Sequence, residues 1–266
     1  MLKFSKREFF AFTLAEVLIT LSVIGVVAAM TLPTLIKEYQ KHVWVNQLKK
    51  SYSMWEQAFQ KMLADDEVSK LSDTSVWASK GAKNCKESNL LTDTNCQNFV
   101  KNLGKYIKIV GVEEYGNKIY KLGGSSFTNY TTSKSLALTD GTMILIKDSS
   151  ASTKSKANCD LIKSSGGNMC SNVMQVYIDV NGQRRPNILG RDVFVFQVSD
   201  EGKLYPYGGK DMALWDWNGK ALDENTSYWR KSTSRCGTPD SSAIESKYAG
   251  NGCAARIMEN GWKMDY

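Results

Sequence analysis

From Phe9 to Leu32 the chain is almost unbroken apolar sequence, and Glu16 is the only ionisable side chain in it. A helix of residues 12–32 rises about 32 Å, the thickness of a bilayer's hydrocarbon core. The pattern therefore predicts a membrane-spanning helix. Lys3, Lys6 and Arg7 before it and a long polar region after it predict a cytoplasmic N-terminus and an exported body. Beyond Pro33 the period changes. Leu48, Tyr52, Trp55, Phe59 and Met62 recur at three- and four-residue steps, with Lys49, Lys50, Glu56 and Lys61 between them. This predicts an amphipathic continuation of the helix to about Ala64, with its apolar stripe packed on the protein's own sheet. Pro33 lacks an N–H and clashes with the carbonyl four residues earlier, so a kink or local melting is expected between Ala29 and Pro33, with Gly25 a second weak point.

The next stretch, Asp65 to about Asn102, reads as polar and loop-like. Strand signals follow at Lys105–Val112 and Lys118–Leu122. Ser135–Leu138 and Thr142–Ile146 flank Asp140-Gly141, a two-residue hairpin signal. Val173–Val180 alternates along its length. Val193–Val198 and Lys203–Tyr205 are joined at Asp200-Glu201-Gly202 as a second hairpin, and the Ser/Asn/Gly-rich connection Asp148–Asn172 reads as a surface loop. The expected class is α+β, a small antiparallel sheet laid on a long N-terminal helix.

Composition sharpens this picture. The 266 residues carry 34 Lys+Arg and 27 Asp+Glu, a net charge of +7 spread without a block of like charge, which argues against a nucleic-acid partner. Mean hydropathy is −0.34, an average of a polar head and one apolar helix. The single histidine, His42, sits among Lys41, Val43 and Trp44 with no Cys or Asp at ligand spacing and reads as a surface or packing residue. No G-x-S-x-G or H-E-x-x-H occurs, so an enzyme is not expected; a signal-anchored extracytoplasmic enzyme is the remote alternative. No cofactor is expected.

Six cysteines fall in three local pairs: Cys85 with Cys96, Cys159 with Cys170, and Cys236 with Cys253. Neighbour pairing is the simplest of the possible connectivities and suits an oxidising, exported compartment, while the absence of C-x-x-C speaks against zinc. A bridge from Cys159 to Cys170 would tether the Asp148–Asn172 loop. Asp179-Val180-Asn181-Gly182 opens like a calcium loop and Asp192 follows, yet the ligand pattern is incomplete and Arg184-Arg185 bring positive charge. Asp179, Asn181 and Asp192 are thus weak metal candidates, and a turn in which Asp179 and Asn181 bond their own backbone is preferred. Trp215, Trp217, Tyr228, Trp229 and Trp262 either pack disulfide-tied loops or form a surface-binding patch.

The segment Ala11-Phe12-Thr13-Leu14-Ala15-Glu16-Val17-Leu18-Ile19, after a short basic leader, resembles the processing site of type IV prepilins and type II secretion pseudopilins. The resemblance implies cleavage between Ala11 and Phe12 by a prepilin peptidase and methylation of Phe12. Glu16 is then the fifth residue after the cut, and Pro33 falls where pilins commonly carry a proline. One departure is Ala11, where family leaders usually end in Gly. The family implies that Glu16 neutralises the Phe12 ammonium of a neighbouring subunit, which makes Glu16 and Pro33 assembly residues. The implied layout is a leader (1–11), a transmembrane and filament-core helix (12–33), its amphipathic continuation (34–64) and an exported pilin-like head (65–266). The implied role is a structural subunit of a secretion pseudopilus, with a minor type IV pilin for adhesion, motility or DNA uptake as the alternative. Implied partners are other pilin or pseudopilin subunits, the prepilin peptidase/methylase, the inner-membrane assembly platform and membrane lipid. The implied location is the inner (cytoplasmic) membrane with the head outside it.

Overall fold

The computed structural model describes residues 13–77, 85–116, 118–128, 133–148, 152–153, 171–209, 236 and 250–266, with the side chains of 128, 148, 152, 153 and 172 left aside. The chain divides into two compact units, Met1–Lys41 and His42–Tyr266. Helix α1, Leu14–Asp65, passes through the division.

From Val17 to Ile36, within the first unit, α1 carries no charged residue and is apolar on every side. Leu14, Leu18, Ile19, Leu21, Val23, Ile24, Met30 and Leu35 are each more than half exposed, and successive positions point in all directions around a helix. It is the one helix among the described residues long and apolar enough to cross a membrane. A helix hydrophobic all round needs a protein core or lipid to cover it. Of the kink or melting expected between Ala29 and Pro33, the melting does not occur: the helix runs unbroken from Leu14 to Asp65 with Pro33 inside it. Pro33 removes one donor, and the turns already formed on both sides carry the helix through that single missing bond because elongation is far easier than nucleation.

The second unit uses α1 differently. Val45, Leu48, Trp55, Ala58, Phe59 and Met62 form its buried stripe, and His42 is exposed. They cover an antiparallel sheet built from β1 (Ile109–Tyr115), β4 (Ser133–Leu138), β5 (Met143–Asp148), β6 (Ser152–Thr153), β7 (Ser171–Asp179), β8 (Val193–Ser199) and β9 (Leu204–Pro206), in the order β1-β4-β5-β7-β8-β9 with β6 also on β7. β2 (Ile119–Tyr120) and β3 (Ser126–Thr128) form a separate small hairpin. Pairing Ile144 with Ile178 and Ile178 with Phe194 aligns one inner row.

Strand alternation divides the apolar residues between two cores. Ile144, Ile146, Val176, Ile178, Phe194 and Phe196 face α1, together with Trp77 and Phe99. Met143, Leu145, Tyr177, Val193 and Val195 face the other way and are roofed by Tyr115, Ile119 and Leu189. Both faces of the sheet are therefore buried, which is why Val193-Phe194-Val195-Phe196 is a continuous apolar run. An aromatic chain runs through the first core: Trp55 to Phe59 at 5.2 Å, Phe59 to Trp77 at 6.1 Å and Trp77 to Phe99 at 5.3 Å between ring centroids.

The stretch expected to be loop between Asp65 and Asn102 is a second correction. It contains a 3₁₀ turn, Leu71–Asp73, and helix α2, Thr94–Leu103. Asp93 caps α2 by accepting from the N–H groups of Asn95 and Cys96, and Cys96, Phe99 and Leu103 bury one face. β1 begins at Ile109 rather than Lys105, because Lys105 and Ile107 close turns on Asn102 and Leu103 at the end of α2. A short helix α3, Cys253–Glu259, packs near the C-terminus with Ala254, Ala255 and Ile257 buried. The head thus carries helices beyond the expected one, and the class is α+β.

Two of the three expected disulfides are present among the described residues. They join Cys85 to Cys96 and Cys236 to Cys253, with Cα separations of 5.3 and 4.9 Å. The first fastens α2 to the segment before it and the second anchors the start of α3. The third expected bridge, between Cys159 and Cys170, is not among them, because Cys159 and Cys170 both lie outside the described residues. The rest of the connection 154–170 and the aromatic residues Trp215, Trp217, Tyr228 and Trp229 lie outside them too. Trp262, the described member of that aromatic group, packs edge-on against Tyr52 of α1 with ring centroids 5.7 Å apart.

Candidate functional site

Three places carry the chemistry of this chain. At the first, Ala11 and Phe12 lie outside the described residues, and Thr13 opens α1. Glu16 Oε2 accepts hydrogen bonds from the Thr13 N–H and from the Thr13 hydroxyl, both at 2.8 Å, while Thr13 Oγ1 accepts from the Glu16 N–H at 3.2 Å. This is a capping box: each side chain satisfies the other's backbone at the helix start, where N–H groups have no partner inside the helix. Glu16 therefore has a local partner within one chain, beside the intersubunit partner that the resemblance implies. The signal was present as Thr13-x-x-Glu16. Oε1 of Glu16 makes no hydrogen bond among the described residues, so the cap leaves one carboxylate oxygen for a further donor.

The second place is the connection from β7 to β8. Tyr177 and Asp179 share the outer face of the sheet with Val193 and Val195, and the residues between them fold back over that face. Asp179 and Asp192 are both fully buried. The Tyr115 hydroxyl donates to Asp179 Oδ2 at 2.6 Å, and the Asn181 N–H donates to Asp179 Oδ1 at 3.2 Å. The N–H groups of Asn187 and Ile188 donate to the two oxygens of Asp192, each at 2.7 Å. Burial pushes the Asp179 carboxyl well above the usual carboxylate range, the nearby Asp192 adds to the rise, and the Tyr115 bond opposes it. Burial also raises Asp192, against the pull of the Ile188 and Asn187 N–H groups.

The weak metal candidates Asp179, Asn181 and Asp192 are thus brought into one place. Among the described residues no group of three or more His, Cys, Asp or Glu side chains is arranged to hold a metal. The carboxylate oxygens accept from the loop's own backbone and from Tyr115, as pegs that shape the roof. Gly182 shows how tight the roof is: at φ +68, a Cβ there would stand 2.3 Å from the Gly141 carbonyl oxygen of the β4–β5 turn.

The third place was not anticipated from sequence. A cleft of about 400 Å³ opens at the same end of the head, lined by Gln47 of α1, Asp140 and Gly141 of the β4–β5 turn, and Val180, Asn181, Gln183 and Arg184 of the roof. Lys50 Nζ pairs with Asp140 Oδ2 at 2.9 Å; partial burial pushes the Asp140 carboxyl up, and the bonds from Lys50 and Thr142 together outweigh it and hold the carboxyl below its usual range. Gln47 Oε1 has no hydrogen-bond partner among the described residues, and the exposed Arg184 guanidinium makes no ion pair among them.

A family model matches residues 34–266, from just after Pro33 to the last residue. The chain belongs to a family of unknown function, DUF6613. DUF6613 as matched here takes in the second half of α1, the sheet, both observed disulfides and the Asp179–Asp192 roof, and it leaves the apolar half of α1 and the Thr13–Glu16 cap outside. No curated protein and no solved structure matches the chain.

Proposed function

We propose that this protein is a membrane-anchored structural subunit of a pilin-like filament, processed between Ala11 and Phe12 and assembled through its N-terminal helix. One observation carries the reading: the apolar half of α1 is exposed on all sides while the rest of the same helix is the spine of a disulfide-tied head. Such a helix is satisfied by lipid before assembly and by packed neighbouring helices afterwards, so one element serves both states without refolding. Glu16 gives the exchange its register. In the lone subunit its carboxylate is held by Thr13, and in the filament its free oxygen meets the N-terminal ammonium of Phe12 from the next subunit, since pairing two charges offsets part of what each costs in an apolar surrounding. Export of protein through a type II secretion pseudopilus is the role we favour, with the disulfides suited to an oxidising compartment outside the membrane.

The test compares Glu16→Ala and Glu16→Gln with the wild-type chain in cells that make the filament. The expected result is normal membrane insertion and processing for both, with neither recovered in sheared filaments. Recovery of Glu16→Ala in filaments at the wild-type level would contradict the role assigned to Glu16.

A further inference from the structure

The Arg184 cleft has a chemical counterpart at the opposite end of the same head. α1 ends at Asp65 and runs into the turn Asp66-Glu67, and at about 1.5 Å per residue Gln47 and Asp65 stand about 27 Å apart along the helix. Asp65 is paired with Lys61 at 2.9 Å, and Asp66 Oδ2 accepts from the Ser75 N–H at 2.7 Å. Glu67 is different. It sits at φ +53, projects into solvent, and its carboxylate makes no bond among the described residues. Exposed Glu201 and Asp73 belong to the same end, because the Leu71 N–H bonds the Asp200 carbonyl at 2.7 Å; Lys70 and Lys203 offset them in part.

One end of the head therefore presents an uncommitted carboxylate on a projecting turn. The other presents an uncommitted guanidinium at the rim of a polar cleft, with exposed Arg185 next to it and Asp140 already neutralised by Lys50. The two surfaces cannot meet within one chain, because α1 holds them apart. They can meet between copies displaced along the helix axis.

We propose that the Arg184 cleft of one subunit receives the Asp65–Glu67 turn of a second copy of this chain, head to tail. The inference rests on the filament reading and adds the contact between heads. Unlike patches joined this way form a heterologous contact that does not close on itself, so it propagates as an open array. Both surfaces are solvent-exposed, so the contact weakens with added salt, and reversing one charge opposes association while reversing both restores it.

The experiment uses the full-length chain in the membranes of the cells that produce it. A photo-crosslinking p-benzoylphenylalanine replaces exposed Lys70, three residues from Glu67, and irradiated material is analysed by mass spectrometry. The expected product is a crosslinked dimer in which residue 70 is joined to the peptide containing Arg184. Arg184→Glu or Glu67→Arg alone should reduce that dimer about tenfold or more, and the pair Arg184→Glu/Glu67→Arg should recover it. All three variants alter exposed residues, and unchanged thermal unfolding checks that the head is intact. Crosslinked oligomers joined to a different segment, or insensitive to both reversals, overturn the cleft-to-turn contact and leave the filament reading standing. A chain that yields no self-crosslink while Glu16→Ala behaves as wild type overturns both.

Discussion

The Tyr115 hydroxyl and the Asp179 carboxylate meet at 2.6 Å inside the head, although 64 residues separate them in sequence. Tyr115 comes from the last position of β1 and Asp179 from the last position of β7, and the bond ties the edge of the sheet to the root of the roof. Tyr115→Phe keeps the ring and removes the donor, leaving one buried carboxyl oxygen unpartnered. A loss of about 1–3 kcal/mol is expected in denaturant unfolding of the head.

Asp179 also makes a prediction about pH. Its carboxyl is raised in the folded head by burial, so the folded state holds a proton that the unfolded chain releases near the ordinary Asp value of about 4. The folded state then binds more protons than the unfolded state, and the stabilisation, full below that value, is lost as pH rises toward the folded value. Asp192 is raised in the same direction and adds to the slope. Asp179→Asn mimics the protonated group, since its amide oxygen still accepts from the Asn181 N–H and its amide N–H can donate to Tyr115. Unfolding free energies measured from pH 4 to pH 8 should fall for the wild type and fall less for Asp179→Asn. Asp179→Ala should be less stable than both throughout.

Gly182 tests the roof itself. Gly182→Ala would place a methyl group 2.3 Å from a backbone oxygen at a positive φ that L residues rarely adopt. Because the opposing atom is backbone in the β4–β5 turn, no side chain can swing aside. The expected cost is at least about 1–3 kcal/mol, seen as a lowered unfolding midpoint. Gly124→Ala, also at positive φ but with nothing within 4 Å, should cost less and serves as the control.

The core under α1 predicts a larger effect. Phe59 is fully buried between Trp55 and Trp77, and truncation to Ala removes the middle of the aromatic chain. A loss of about 3–5 kcal/mol is expected for Phe59→Ala. Removing the Cys85–Cys96 bridge as Cys85→Ser/Cys96→Ser should cost about 2–3 kcal/mol, because only a short loop of 11 positions is released. Both follow from equilibrium denaturation of oxidised protein.

Local chemistry made some of this fold legible and long-range pairing hid the rest. Asp140-Gly141 and Asp200-Glu201-Gly202 announce their turns because glycine at φ +87 and +74 is what those turns require. The stripe from Leu48 to Met62 announces its helix by period alone. Short spacing was enough to pair Cys85 with Cys96 and Cys236 with Cys253, while the same reasoning for Cys159 and Cys170 falls outside the described residues. Helix α2 was missed because its Asn-rich sequence reads as loop, although Asp93 as cap and the Cys96, Phe99, Leu103 spacing were there to be read. β3 and β6 are three and two residues long and carry no pattern of their own. Tyr115 with Asp179, and Gln47 with Arg184, are neighbours only after the sheet has formed, and no one-dimensional spacing encodes them. At Pro33 the melting half of the expectation failed, since one missing donor does not interrupt a long cooperative helix.

The measurement closest to the central claim is the mass and sequence of the N-terminal peptide of this chain, purified from membranes of cells that carry a prepilin peptidase. The expected peptide begins at Phe12, bears one added methyl group on its amine and lacks Met1–Ala11. A chain that keeps Met1, or one cut after the apolar stretch so that Glu16 is lost and the head is released, would contradict that claim.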